Sequence, residues 1–238
     1  MSSKKEKKMS AMKKNIIIVL VVVLIAIGVG VYAVISTSQG FDAKGYVQAM
    51  LDKTIKGETK AAVGLINGAT EESLSAQYDE MMTTFVRNQM LAGVQVDAEM
   101  EKQYVELCKK IFASMKYEIQ DAIEQEDGNF KVTVKYQSTD AFSNFITKAA
   151  EEKTRLEDLA NKGEEYRGNR EEIALKMQED LIKNAYSLLE QCHNEATYSE
   201  EKTMVFTIVK EQERKYSMNS EEVTAFVQKI IGLDAKED

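Results

Sequence analysis

The pattern of hydrophobic and polar residues begins with an uncharged run at residues 16–35, IIIVLVVVLIAIGVGVYAVI. A helix over these residues is about 30 Å long, which matches the hydrocarbon thickness of a bilayer. In lipid a helix satisfies its own backbone polar groups, so even β-branched residues adopt it there. The run therefore predicts a transmembrane helix. A buried core helix is the less favoured alternative, because every face of it would need a neighbour.

Helical periodicity resumes at residue 42 and continues, in several segments, to residue 115. The first predicted helix ends at Gly57, a shorter one covers residues 58–66, and two longer ones begin after Thr70 and Asp97. Thr70 and Asp97 are predicted N-caps, because their side-chain oxygens can accept hydrogen bonds from backbone N–H groups of the first turn. The hydrophobic stripe of the helix after Thr70 loses its phase near Asn88.

The hydrophobic period then changes from 3.6 to 2, which predicts a β-hairpin. Asp127 and Gly128 lie between its two alternating segments, and this dipeptide is typical of a two-residue turn. A turn centred there places Ile123 opposite Val132 on the core face. It also places Asp121 on that apolar face, where a frayed or bulged strand is one interpretation and a polar residue lining a pocket is the other.

A long helical pair is predicted next, joined by a loop at residues 162–168. Since that loop is short, the two helices should be antiparallel. Strands at 203–210 and 215–218 form a second predicted hairpin, and capping boxes at Asn169 and Asn219 begin the helices that follow them. The sequence thus predicts an α+β fold, with one N-terminal transmembrane helix and an external domain of several helices and two antiparallel β-hairpins that flank a long helical pair.

Charge is distributed unevenly along the chain and gives it an orientation. The formal net charge is −8, but residues 1–35 carry +5, which leaves −13 on residues 36–238. Because basic residues that flank a span stay in the cytoplasm, we expect a single-pass protein of the cell membrane with a cytoplasmic N-terminus and with residues 36–238 extracellular.

The predicted domains follow from this orientation: a basic cytoplasmic tail at 1–15, the transmembrane helix at 16–35, a connector at 36–41 that lets the domain tilt, and an extracytoplasmic α+β domain at 42–234. A cleaved signal peptide is the alternative, because small residues follow the hydrophobic run. The length of the run favours an uncleaved signal anchor, since the apolar region of a signal peptide has about 7–15 residues.

Composition excludes several kinds of site. One histidine and two cysteines rule out a multi-histidine metal centre, a four-cysteine zinc site and a disulfide-dense scaffold. No nucleotide-binding or hydrolase motif is present, so we expect no catalytic residues, metal or cofactor. The negative external charge argues against nucleic acid, teichoic acid or anionic lipid as the main ligand. His193 is interpreted as a C-terminal helix residue that interacts with the helix dipole, with a metal-binding or pH-sensing role as the alternative.

The two cysteines, Cys108 and Cys192, both fall on hydrophobic stripes of predicted helices. Outside the cytoplasm a pair of cysteines can form a disulfide, but cysteine is also a common small core residue. A bridge would require the two helices to bring the Cα atoms within about 7 Å. Two buried free thiols are the favoured prediction, and a disulfide is the alternative.

The basic tail, the span, the segment FDAKGYVQAMLDKTIKGE and the hairpin KYEIQDAIEQEDGNFKVTVKYQ together resemble a group of bacterial proteins. These are the membrane-anchored or lipidated extracytoplasmic proteins of unassigned function from low-GC Gram-positive bacteria, especially clostridia. The resemblance implies a cone-shaped α+β domain similar to nuclear-transport-factor-like and cystatin-like folds. It implies no functional residues, and this chain has a span where the lipidated members have a modified cysteine.

Two functions are compatible with these features. The first is a membrane-anchored, non-enzymatic binding or cell-envelope accessory domain, with an envelope protein as a candidate partner. The second is a cone-fold enzyme that acts on a small molecule or wall glycan, with Asp121 in a pocket beside Tyr117 and Tyr136. A closed apolar core beneath the first hairpin would argue against the enzyme, and a polar cavity around Asp121 would support it.

Overall fold

The structure is a computed structural model that describes residues 33–34, 40–91, 94–163, 165–213 and 215–233. The predicted cytoplasmic tail lies outside these residues, and so does the predicted span except for Ala33 and Val34. Those two residues form a short β-strand. Among the helices of the described residues, none is both long and apolar enough to cross a bilayer.

The described residues have an α+β fold in which helices pack against an antiparallel sheet. The helices are α1 (Ala43–Leu51), α2 (Lys60–Val63), α3 (Glu71–Phe85), α4 (Ala98–Ala113), α5 (Ala141–Lys162), α6 (Arg170–Asn194) and α7 (Ser220–Ile230). The strands are β1 (Ala33–Val34), β2 (Lys116–Glu124), β3 (Phe130–Gln137), β4 (Lys202–Gln212) and β5 (Lys215–Met218). Helices α1 and α3 each continue into a π-helical turn, Asp52–Lys56 and Val86–Met90 respectively.

The two predicted hairpins belong to a single sheet. Its strand order is β1-β5-β4-β3-β2, and every neighbouring pair is antiparallel. The β3–β4 pairing joins the hairpins across the helical pair, and α5 and α6 pack against each other as predicted. The fold class is therefore confirmed for the described residues, with one joined sheet in place of two separate hairpins.

The core lies between the helices and one face of the sheet. Val132 and Val134 of β3, and Phe206 and Ile208 of β4, are fully buried at alternating positions, as the period-2 pattern requires. Phe226 of α7 packs on the same face and is also fully buried. The opposite face is in contact with solvent.

The predicted register of the first hairpin is wrong by one residue near the turn. Ile123 pairs with Lys131 instead of Val132. The loop contains three residues, 126–128, and its flanking residues are joined by a backbone hydrogen bond of 2.8 Å. Gly128 closes the loop with a φ of 78°, which is the bulge conformation that shifts the register by one position. Ile123 consequently turns to solvent and is 61% exposed.

A second register shift lies within β2, between Ile119 and Ala122. This β-bulge turns Asp121 to solvent, whereas the predicted register placed it on the apolar face. Beyond the bulge Tyr117 pairs with Tyr136. Of the two interpretations of Asp121, the structure therefore shows the bulged strand.

The predicted N-caps at Thr70, Asp97 and Asn169 are confirmed, since each side chain accepts a backbone N–H of its own first turn. The loss of helical phase near Asn88 coincides with the π-helical turn Val86–Met90, which widens the helix and changes its period. The predicted helix at 58–66 shortens to the single turn α2, followed by further turns.

At Asn219 the N-cap is confirmed but the predicted capping box is not. The Asn219 side chain accepts from the backbone N–H of Glu221. Glu222, which would complete a box by returning to the N-cap, instead accepts from the backbone N–H of Thr207 on β4 at 2.8 Å. This carboxylate therefore joins the start of α7 to the sheet.

Candidate functional site

The structure brings together two of the three predicted pocket residues. Tyr117 and Tyr136 are neighbours on β2 and β3, and the rings of both lie edge-on to Phe226, with centroids 6.0 and 5.3 Å away. Tyr136 is buried and Tyr117 is half-buried. Asp121 is exposed beyond the bulge. It therefore does not line a common site with the two tyrosines, and the space beneath them is filled by an aromatic ring.

A different group of polar side chains meets Tyr117, and we name it the Asp52 cluster: Gln48, Asp52, Lys56 and Tyr117. The Tyr117 hydroxyl donates to Asp52 Oδ1 at 2.5 Å, and Gln48 Nε2 donates to Asp52 Oδ2 at 2.7 Å. Lys56 Nζ lies 3.8 Å from Asp52 Oδ1 and 4.6 Å from the centroid of the Tyr117 ring. Both oxygens of the carboxylate are thus occupied by side chains of the cluster.

Local sequence explains why the cluster forms at the end of α1. Gln48, Asp52 and Lys56 are four residues apart, so they share one side of a continuous helix. The π-helical turn ends at Gly57, which has a φ of 72°. The Tyr78 ring occupies the space that a side chain at position 57 would need. Its hydroxyl donates a hydrogen bond to the backbone carbonyl oxygen of Ile55, in the π-helical turn, at 3.0 Å. Helix α3 therefore holds the turn that presents Asp52 to β2.

The surroundings of Tyr117 in the Asp52 cluster favour its neutral, protonated form. Burial raises the pKa of Tyr117, and the hydrogen bond to Asp52 raises it further. Tyr117 therefore remains a proton donor throughout the neutral range. Because both oxygens of the Asp52 carboxylate accept a hydrogen bond within the cluster, the cluster connects α1 to β2.

Lys53 follows Asp52 in the chain and differs from the Asp52 cluster in being buried. The residue is only 6% exposed, and no hydrogen bond or ion pair to its amine occurs within the described part of the chain. Burial lowers the pKa of Lys53. Such an amine could bind an anionic group or react with an electrophile.

Sequence reasoning did not find Lys53, because the 3.6-residue period predicted from Tyr46 onward leaves position 53 outside the apolar stripe. The π-helical turn Asp52–Lys56 changes the angle per residue at this point and brings Lys53 to the buried side. No simple sequence signal marks such a turn in advance.

We expect Lys53→Met to increase the free energy of unfolding at pH 7 by about 1 kcal/mol or more, because it removes a poorly solvated charge and keeps the apolar stem. The folded state binds this proton less tightly than the unfolded chain, so wild-type stability should rise with pH up to the ordinary lysine pKa of about 10.4. Urea unfolding from pH 7 to 10 should show the variant's advantage shrinking. Lys44→Met, at an exposed position of α1, is the control and should show no such trend. A constant difference for Lys53→Met would contradict the prediction.

His193 lies in the last turn of α6, as predicted, and is half-buried. Burial lowers its pKa, and the positive charge of Lys110 lowers it further. It is therefore neutral at pH 7. Within the described residues, no three or more histidine, cysteine or acidic side chains are grouped closely enough to hold a metal ion.

Cys108 on α4 and Cys192 on α6 are both buried free thiols, as the favoured prediction states. Burial raises the pKa of each thiol, so the reactive thiolate is disfavoured in the folded protein.

Alkylation should distinguish these thiols from a disulfide. We expect iodoacetamide to add nothing to the native protein, and to add two alkyl groups after unfolding in urea without a reductant, as measured by intact-protein mass spectrometry. Reduction before alkylation should leave the count unchanged. An unfolded, unreduced sample without adducts would show that the cysteines are bridged.

Comparison with known proteins provides one structural likeness. No protein-family model matches the sequence, and no curated protein matches it. The fold is similar to a solved structure from Bacillus subtilis described as a "putative lipoprotein (ycdA)", with a TM-score of 0.47 and 16% sequence identity. The likeness covers 77% of this chain and 54% of that chain, so the chain spans about half of the length of the Bacillus protein. The helices and the antiparallel sheet of the described residues themselves establish an α+β domain. The clostridial and cone-fold resemblances stay predictions.

Proposed function

We propose that this chain is a membrane-anchored extracytoplasmic protein whose α+β domain binds a partner in the cell envelope and catalyses no reaction. The observation that carries the proposal is the uncharged run at residues 16–35, with a net charge of +5 up to its end and −13 after it. This asymmetry favours an N-terminus inside the cell and an external domain.

The geometry of the domain supports binding over catalysis in two ways. Asp121, which was predicted to line a pocket in the enzyme alternative, is exposed and separate from Tyr117 and Tyr136. The half-buried carboxylate Asp52 accepts hydrogen bonds from Tyr117 and Gln48 of its own cluster. Catalytic carboxylates need access to substrate and neighbouring groups that act with them. Asp121 has access but lies apart from the two tyrosines, and Asp52 is half-buried within its own cluster.

Cysteine labelling in protoplasts tests the topology. Gln178→Cys introduces a thiol at an exposed position of α6, and Ser3→Cys introduces one in the lysine-rich tail. A membrane-impermeant maleimide should label Gln178→Cys in intact protoplasts and Ser3→Cys only after lysis. The wild-type chain is the control and should stay unlabelled, because both native cysteines are buried. Labelling of Ser3→Cys alone before lysis would overturn the proposal.

The cleaved signal peptide is tested by the intact mass of the protein recovered from membranes. The anchored form retains residues 1–35, so its mass should equal that of the full 26.8 kDa chain. A mass that corresponds to a new N-terminus just after the hydrophobic run, together with recovery in the medium, would make this a secreted protein.

A further inference from the structure

The chain that leaves the predicted span is already part of the sheet. Ala33 pairs with Tyr216, and Val34 pairs with Lys215, in the antiparallel β1–β5 contact. These two residues belong to the hydrophobic run at 16–35. A backbone cannot be in a membrane-spanning helix and in an antiparallel ladder at the same residues, so the strand sets an upper limit on where the span ends.

A second contact ties the start of the domain to the same strand. Phe41, the last residue of the predicted connector, stacks on the Tyr216 ring with a centroid distance of 3.8 Å and an interplanar angle of 3°. The Phe130 ring lies edge-on to Phe41 at 5.4 Å. Aromatic pairs of this kind stabilise a contact beyond the burial of their surfaces. The chain is therefore attached to β5 on both sides of residues 35–40.

We infer that the bilayer surface lies against the β5 edge of the sheet, so that the domain is seated on the membrane at a fixed place and does not tilt freely on a connector. This inference rests on the proposed transmembrane anchor. With Ala33 in the sheet, residues 16–32 remain for the span, a helix of about 25 Å, which is at the short end of what crosses a bilayer. Tyr32 would then be the last residue of the span, at the interfacial depth where tyrosine is enriched.

The charge near this edge is compatible with a lipid surface. The segment 210–215, KEQERK, which ends β4 and begins β5, carries three basic and two acidic residues, whereas residues 36–238 together carry −13. Basic residues are attracted to anionic lipid headgroups. The β5 edge is thus a local exception to the acidic character of the external domain.

The first experiment tests the β1–β5 contact in the full chain, reconstituted in phosphatidylcholine vesicles. Val34→Cys with Lys215→Cys places thiols at partner positions, and Cα atoms of antiparallel partners are about 4.5–5.5 Å apart, within disulfide range. Copper phenanthroline should yield a peptide linked between positions 34 and 215, identified by mass spectrometry. Val34→Cys with Lys202→Cys is the control, because position 202 lies about 30 Å away along β4. No link in the first pair, or equal links in both, would overturn the inference.

The second experiment tests contact with lipid and uses single variants that keep β1 unchanged. A bimane fluorophore is attached at Lys215→Cys or, as the matched control, at Glu118→Cys on β2; both positions are exposed. Strand β2 is three strands from β5, about 14 Å away. Vesicles that contain a nitroxide-headgroup lipid should quench the bimane at position 215 at least about twofold more than the one at position 118, because the quenching is short-ranged and the positions are separated by that distance.

The outcomes separate this inference from the proposed function. Equal quenching at the two positions, or stronger quenching at position 118, would overturn the seating on the membrane even when the protoplast labelling shows an external domain. Failure of the protoplast labelling would overturn the anchor itself, whereas the disulfide between positions 34 and 215 would still form if the β1–β5 contact exists.

Discussion

Phe226→Ala should destabilise the domain by about 3–5 kcal/mol, the cost of removing a fully buried phenylalanine from a core. The side chain is 0% exposed. Its ring lies edge-on to those of Tyr117, Tyr136 and Phe206 at 6.0, 5.3 and 5.3 Å. These neighbours sit on three different strands, β2, β3 and β4, so no single side chain can move in to fill the cavity. Urea unfolding of the full chain in detergent, followed by far-UV circular dichroism, measures the change.

Leu175→Ala is the matched control for this substitution. Leu175 is a large hydrophobic residue on α6 but is 61% exposed, and alanine is a good helix former. Its replacement should change the free energy of unfolding by less than about 0.5 kcal/mol. Similar losses for the two variants would show that Phe226 does not pack as described.

Gly232→Ala should cost about 3 kcal/mol, the second-largest effect that we expect. Gly232 follows the end of α7 with a φ of 70°, a conformation that costs an alanine about 1–2 kcal/mol. A Cβ atom there would also overlap the carbonyl oxygen of Thr139. That oxygen cannot retreat easily, because Thr139 is buried and its N–H donates to the Ile230 carbonyl at 3.0 Å.

Gly163→Ala measures the cost of a positive φ alone, without the steric overlap that a Cβ atom meets at position 232. Gly163 ends α5 with a φ of 68°, and a Cβ atom there would meet nothing within 4 Å among the described residues. Its replacement should cost only about 1 kcal/mol. The same denaturation experiment measures both variants. Equal losses of unfolding free energy for the two variants would show that Gly232 does not lie against the Thr139 carbonyl as described.

Local signals in the sequence predicted local structure well. The N-caps at Thr70, Asp97 and Asn169 follow from the reach of a short side chain to backbone N–H groups two or three residues away. Asn219 shows where this reasoning ends. The same four-residue pattern is present, but the Glu222 carboxylate accepts a hydrogen bond from the backbone N–H of Thr207 on β4 instead of from its own N-cap. Thr207 is distant in sequence, so the local pattern does not reveal it.

The hairpin register depended on a choice that the sequence leaves open. Two-residue and three-residue loops can both contain Asp127 and Gly128, and the choice between them moves every partner by one position. The bulge between Ile119 and Ala122 then added a second shift. The pairing of β3 with β4 was also beyond sequence reasoning, because the helical pair lies between these strands and no local pattern specifies which distant edges meet.

The candidate site was predicted only in part. Tyr117 and Tyr136 share one face, as the alternating pattern implies, although the predicted register placed Ile119 and not Tyr117 opposite Tyr136. The unpredicted bulge put Asp121 on the other face. Asp52 and Lys53 were not considered, because the helical period gave them no special place. A π-helical turn decides which of these two residues is buried, and it is stabilised by contacts with α3 that only the folded chain provides.

Strand β2 is an outer strand of the sheet, and its form bears on how the protein behaves at high concentration. An unpaired strand edge can template the addition of strands from other molecules, which leads to aggregates and fibrils. The bulge in β2 bends this edge, and the carboxylates of Glu118, Asp121 and Glu124 are exposed along it. Both features hinder such growth. The sheet is thus protected differently at its two ends, by the chain's own β1 at one and by distortion and negative charge at the other.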